Sequence, residues 1–159
     1  MSNPRPYMSQ PMKIAEAIQS NLKEIGIDVK IESYEWATYL DKASKGEHDM
    51  MLMGWTGVMA DPDNFLYPNL NSKNAEKPAS NYAFYKNDQF DKLIEQARVE
   101  YNQEKRVELY KEAQRIFHKD APWVPIAHTT PPVAMANYVK GFELHPMEND
   151  DFAKITIEK

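Results

Sequence analysis

The chain has no cysteine among its 159 residues, which excludes both a disulfide framework and a thiolate metal site. Lys/Arg clusters are also missing. With 24 acidic and 19 basic side chains spread along the sequence and a formal net charge of −5, nucleic acid and an anionic membrane surface are poor partners. No apolar run approaches the length needed to cross a bilayer, and the opening Met1-Ser2-Asn3-Pro4-Arg5 does not read as a signal peptide. Neither a Gly-x-Ser-x-Gly elbow nor a phosphate-cradling glycine loop occurs, and the four histidines (His48, His118, His128, His145) lack the spacing of a helical zinc pair. Internal repeats and low-complexity tracts are absent too.

What is present suffices for a packed core. Hydrophobic residues make up 42% and aromatics 11%, so the chain is globular, one domain by length or part of a larger one. Prolines 4, 6 and 11 give an extended arrival around Arg5 and Tyr7. Ile14, Ala15, Ile18, Leu22 and Ile25 then recur at three- and four-residue steps, predicting a helix over 12–25 that Gly26 ends. Ile27, Val29 and Ile31 alternate with Asp28, Lys30 and Glu32, the period of a half-exposed strand. A second helix is expected over 36–45, ended by Gly46.

The run from Met50 to Leu66 organises the rest. Its first residues, Met50-Met51-Leu52-Met53, read as a strand buried on both faces. Gly54-Trp55-Thr56-Gly57 follows as an exposed aromatic loop, and Asp61-Pro62-Asp63-Asn64 reads as a turn that caps a helix. Open α/β sheets hold ligands at the carboxyl ends of strands, where glycine admits close backbone approach and Trp offers a flat wall with one donor. Helix and strand alternating over short connections predict an α/β fold with parallel strands. A long loop over 69–86 is expected to drape over the surface, pinned by Tyr82, Phe84 and Tyr85. Helices are expected over 88–99 and 104–119, the second capped by Asn102. Short β segments are expected at 126–128, 133–138, 142–144 and 152–157.

Candidate chemistry is sparse. Asp61 and Asp63 suit a turn and cap at least as well as acid–base work, because no nucleophile or metal set accompanies them. Met59, with Met50, Met51 and Met53, suits either core filling or an adaptable binding wall. Arg5 can clamp a carboxylate in bidentate fashion or be paired structurally.

Several motifs occur together and in order. They are Pro4-Arg5-Pro6-Tyr7, Ala15-Glu16-Ala17-Ile18-Gln19, Gly26-Ile27-Asp28-Val29, Gly54-Trp55-Thr56-Gly57 and Asp61-Pro62-Asp63-Asn64-Phe65-Leu66. Phe90-Asp91-Lys92-Leu93-Ile94, Asp120-Ala121-Pro122-Trp123-Val124-Pro125-Ile126 and Val139-Lys140-Gly141-Phe142 continue them. In this the chain resembles the C-terminal portion of extracellular solute-binding proteins serving ABC importers of dipeptides, oligopeptides and nickel chelates. The resemblance implies that residues 1–159 are a C-terminal lobe fragment of a two-lobed periplasmic-binding-protein-like clamshell, with the last ~20 residues crossing toward a missing N-terminal lobe. It implies a non-enzymatic transport function outside the cytoplasmic membrane, with a lipoprotein or periplasmic parent, a small peptide as ligand, an ABC permease as partner, and no metal or cofactor. A metal chelate, haem or other small solute is the alternative within the family, and a protein-interaction module the alternative outside it. The ligand-binding residues so implied are Arg5, Tyr7, Trp55, Thr56, Gly57, Val58, Met59 and Asp61. Arg5 would hold a ligand carboxylate. Val58 stands where relatives often carry an acidic residue for the peptide amine, which implies an altered amine subsite. Apolar surface around Trp55, Met59 and Phe65 is expected to be exposed and to promote self-association or strand exchange.

Overall fold

The structure is a computed structural model that describes residues 5, 7–57, 59–128, 132–145 and 151–158. Five α-helices among the described residues carry it, and local chemistry sets their ends. α1 (Pro11–Glu24) begins with proline in its first turn, where the missing N–H is no loss. At its end Gly26 has a φ of +83°, which lets its N–H bond Lys23 O while Ile27 N–H bonds Leu22 O, both at 3.0 Å. α2 (Trp36–Lys45) starts where the Glu35 carboxylate accepts from the Ala37 N–H at 3.0 Å, and stops at Gly46 through the same pair of bonds. α3 (Asp63–Leu70) is opened by the Asp61 carboxylate, which accepts from the Asp63 N–H at 2.8 Å. α4 (Asp88–Val99) is capped by Asn87, whose side chain accepts from Gln89 and Phe90 N–H, each at 3.0 Å. Asn102 does the same for α5 (Gln103–Asp120), accepting from the Lys105 N–H at 3.0 Å.

The core lies where α3, α4 and α5 meet. Phe90, Ile94 and Ala97 of α4 share one face and are fully buried against Tyr110 and Ala113 of α5 and Leu66 and Leu70 of α3. Burying a large side chain of this kind stabilises the fold by roughly 1.5–3 kcal/mol, so this face dominates the energetics. Trp123 packs on the rim, with Phe65 and Phe117 edge-on to it at 5.7 and 5.9 Å.

Strand expectations need correcting. The runs over 27–31 and 50–55 form no strand, and the only ladder among the described residues is the antiparallel pair β1 (Val139–Lys140) and β2 (Thr156–Ile157). Met50 is 59% exposed, so its run is not buried on both faces. Periodicity fixes which side chains share a face, whereas a strand also needs a neighbour to take its backbone hydrogen bonds. Here the Tyr39 hydroxyl donates to Leu52 O at 2.7 Å in place of a ladder bond. Residues 126–128, 133–138 and 142–144 likewise form no ladder, β1 lying just outside the second of them; the expected segment 152–157 opens as a 3₁₀ turn (Phe152–Lys154) and ends in β2.

The expected surface loop is also different in kind. Asn71 and Asn81 within it are fully buried. Asn81 donates to Tyr85 O at 2.9 Å and to Asn71 O at 3.3 Å, and accepts from Tyr85 N–H at 3.3 Å. Ser72–Ala75 form a 3₁₀ turn whose first N–H groups are capped by Asp91 and Asn71. Side-chain amides replace the regular ladder and fold the segment inward. No helix among the described residues is long and apolar enough to cross a membrane.

Candidate functional site

The site is built from the arrival segment, α2 and the loop after residue 53. Arg5 and Met8 exchange backbone hydrogen bonds at 2.9 and 2.8 Å, a tight bridge that buries Met8 and turns Tyr7 toward the loop. The Tyr7 ring lies directly on Gly54. A Cβ at that position would sit 2.2 Å from the ring, so glycine is required by the contact itself. The Tyr7 hydroxyl is 3.8 Å from the Met53 sulfur, and burial raises its pKa, with Arg5 opposing.

Arg5 is held by an aromatic platform. Its guanidinium lies 3.5 Å from the centre of the Trp36 ring, and Trp36 is stacked in turn on Tyr39, with centroids 5.9 Å apart and planes 13° from parallel. Burial pushes the Tyr39 hydroxyl up to about 12, so it stays a neutral donor to Leu52. The Arg5 Nε is buried and has no hydrogen-bond partner among the described residues. A buried cationic donor in that condition is costly unless something else meets it.

Beyond Gly54 the loop is open. Trp55 is 45% exposed and Met59 63% exposed, Thr56 is exposed and Gly57 half-buried. Val58 lies outside the described residues. Asp61 is differently placed. Its two oxygens take Arg106 Nη2 at 2.8 and 2.9 Å, while Arg106 Nε donates to Ala97 O at 2.9 Å near the end of α4. That ion pair holds the Asp61 carboxyl below its ordinary range. Asp61 thus forms the foot of the loop, tying it to the helical core. Asp63 sits two residues on, its pKa raised by burial.

The structure therefore sets Tyr7 on the glycine-tryptophan loop, holds Arg5 on Trp36 and leaves Asp61 engaged with Arg106. Trp36 and Tyr39 belong to the platform although sequence reasoning missed them. Their three-residue spacing at the start of a helix was the available signal, and nothing local pointed from it to Arg5. No group of three or more His, Asp or Glu residues among the described residues is arranged to hold a metal ion. Chemically the arrangement offers a cation on an aromatic shelf and, linked to it through Tyr7, a loop that exposes Trp55 and Met59, which suits binding.

Known proteins resemble this chain in sequence and in fold. Residues 3–77 match the family of bacterial extracellular solute-binding proteins, family 5 Middle. Di/tripeptide-binding protein 2 of Pseudomonas aeruginosa is 42% identical over 148 residues, which is 93% of this chain and 28% of that protein. Among solved structures, HbpA2 from Haemophilus parasuis superimposes with a TM-score of 0.89 at 30% identity, over 99% of this chain and 31% of that one. The ABC transporter-associated periplasmic binding protein DppA from Helicobacter pylori, solved with a bound peptide, gives 0.77 at 40% identity, over 95% of this chain and 30% of that one. The chain thus spans under a third of the length of each relative. These matches bear out the resemblance drawn from the motifs and the periplasmic-binding-protein fold.

Proposed function

We propose that this chain, whose sequence and fold correspond to a portion of a bacterial extracellular solute-binding protein of family 5, supplies one wall of a peptide-binding cleft. In this reading the whole protein captures di- or oligopeptides outside the cytoplasmic membrane and passes them, unaltered, to an ABC permease. The parent is a lipoprotein or a periplasmic protein. The chain is part of its C-terminal lobe, and the last ~20 residues run toward the other lobe.

The observation that carries the reading is Arg5. A guanidinium fixed on Trp36 with a buried, unpartnered Nε–H is pre-organised for a carboxylate, because its stacking leaves little side-chain freedom to lose on binding. Trp55, Thr56 and Met59 would then cover the ligand's side chains through apolar and adaptable contacts. Val58 offers no charge to an α-amine, so the amine is not the dominant anchor. Di/tripeptide-binding relatives and a peptide-bound structural neighbour support peptide over other solutes.

Calorimetry of the whole binding protein with di- to pentapeptides and their N-acetylated forms tests this. Peptides are expected to bind, with acetylation costing little. A strong requirement for the free amine contradicts the Val58 assignment, and failure of every peptide to bind contradicts the peptide reading.

A further inference from the structure

Arg106 stands where a helix least favours a cation. It is the fourth residue of α5, and the first turn of a helix carries the positive end of the dipole. Three acceptors account for it. Its Nε donates to Ala97 O at 2.9 Å, one of the last carbonyls of α4 that no helical N–H can reach. Its Nη2 meets the hydroxyl of the buried Tyr110 at 3.2 Å and the two oxygens of Asp61 at 2.8 and 2.9 Å. Ala97 and Tyr110 fix the guanidinium to the core of α4 and α5, and Asp61 takes its place from it. Asp61 lies two positions after Met59 and closes the segment whose other end, Gly54, is held under the Tyr7 ring. Trp55, Thr56 and Met59 stand between those two anchors. Arg5 is held elsewhere, on Trp36 of α2.

We infer that Arg106 is a positioning residue for selectivity. Through Asp61 it sets the stance of the wall formed by Trp55, Thr56 and Met59, and so the preference among peptide side chains, while Arg5 holds the ligand carboxylate independently. The inference rests on the peptide-binding reading above and adds to it a residue that acts through another. A charge-assisted pair with two carboxylate contacts holds a loop end more firmly than a neutral hydrogen bond does. The neighbouring ion pair supplies the contrast. Arg98 of α4 has its Nε 3.2 Å from Asp63 Oδ1 and its guanidinium 4.0 Å from the centre of the Tyr67 ring, joining α4 to α3 without Asp61. Its loss would loosen the same helices and leave the end of the loop in place.

Calorimetry of the whole binding protein with dialanine, dileucine and dileucine amide tests this on wild type, Arg106→Gln, Asp61→Asn and Arg98→Gln. Wild type is expected to favour dileucine over dialanine by about tenfold or more, the scale on which apolar pockets read added methylenes. Arg106→Gln and Asp61→Asn are each expected to bring that ratio below about threefold and to leave the loss on amidation as in wild type. Arg98→Gln is expected to keep both. Wild type with no preference, a ratio unchanged in Arg106→Gln or Asp61→Asn, an amidation loss that shrinks along with it, or equal narrowing in Arg98→Gln each overturns the inference. Wild type that binds no peptide overturns the peptide reading instead, and ligand-free protein then decides the anchor. With fluorotryptophan labelling, the resonance identified by its loss in Trp55→Phe is expected to shift in Arg106→Gln and to stay in Arg98→Gln. A Trp55 resonance unmoved in Arg106→Gln overturns the inference.

Discussion

Tyr7 and Gly54, separated by most of the first third of the chain, touch so closely that no side chain fits between them. This contact joins the proline-rich arrival to the tryptophan loop, while Arg5, two residues before Tyr7, lies on Trp36. Gly54→Ala is expected to force the Tyr7 ring away and to cost about 1–3 kcal/mol, the usual range for overpacking. Denaturant unfolding measures it. Tyr7→Ala in the same background should cost less than the two single changes summed, because it removes the clash.

Asp61 and Arg106 give a pH-dependent contribution of known sign. The hydrogen bond from Arg106 lowers the Asp61 pKa below its ordinary 3.8, so the folded state favours the ionised form. That stability is present above pH 3.8 and is lost as pH falls through the lower folded value. Asp61→Asn should cost about 1 kcal/mol at neutral pH, the partial exposure of the pair limiting the effect. The gap between wild type and variant, followed by thermal unfolding, should close in acid. A gap that widens as pH falls would contradict the assignment.

Asn81 holds the segment after α3 together from inside. Asn81→Leu would remove the Asn81 side-chain partner of Tyr85 N–H and Tyr85 O, whereas Asn71 O keeps the Asn74 N–H at 3.0 Å. The expected loss is about 2–3 kcal/mol, read from the midpoint of urea unfolding. Surface residues of the same segment, such as Lys86, should tolerate change.

Where structure is decided locally, the sequence is a good guide. α2 and α4 begin and end as their capping residues require, because Gly46 and Asn87 act within one turn of the helix. The helix over 12–25 is shifted by one residue, proline having entered its first turn. Non-local choices were not legible. Alternation at 27–31 says nothing about whether a neighbouring strand is available, and the apolar run at Met50 reads alike for a strand and for a segment that forms none. Asn71 and Asn81 look like surface loop residues until the backbone groups they satisfy are brought beside them. In the site, the glycine-tryptophan loop and Arg5 are visible as motifs, whereas Trp36 becomes part of it only through the fold.

Trp36 sets the pose of Arg5. Trp36→Leu removes the aromatic face and is expected to weaken peptide binding by about 1 kcal/mol, several-fold in Kd. Helix content by circular dichroism should be unchanged, since α2 retains its Glu35 and Gly46 ends. Equal affinity in the variant would remove Trp36 from the site.

The most direct test of the carboxylate-binding wall is a calorimetric cycle on the whole binding protein, using a dipeptide and its C-terminal amide with wild type and Arg5→Ala. Amidation is expected to weaken binding to wild type by about tenfold or more, the scale of one charge-assisted hydrogen bond, and to leave binding to Arg5→Ala nearly unchanged. Equal losses on amidation in both proteins, or an Arg5→Ala variant that binds the free dipeptide as tightly as wild type, would contradict the account.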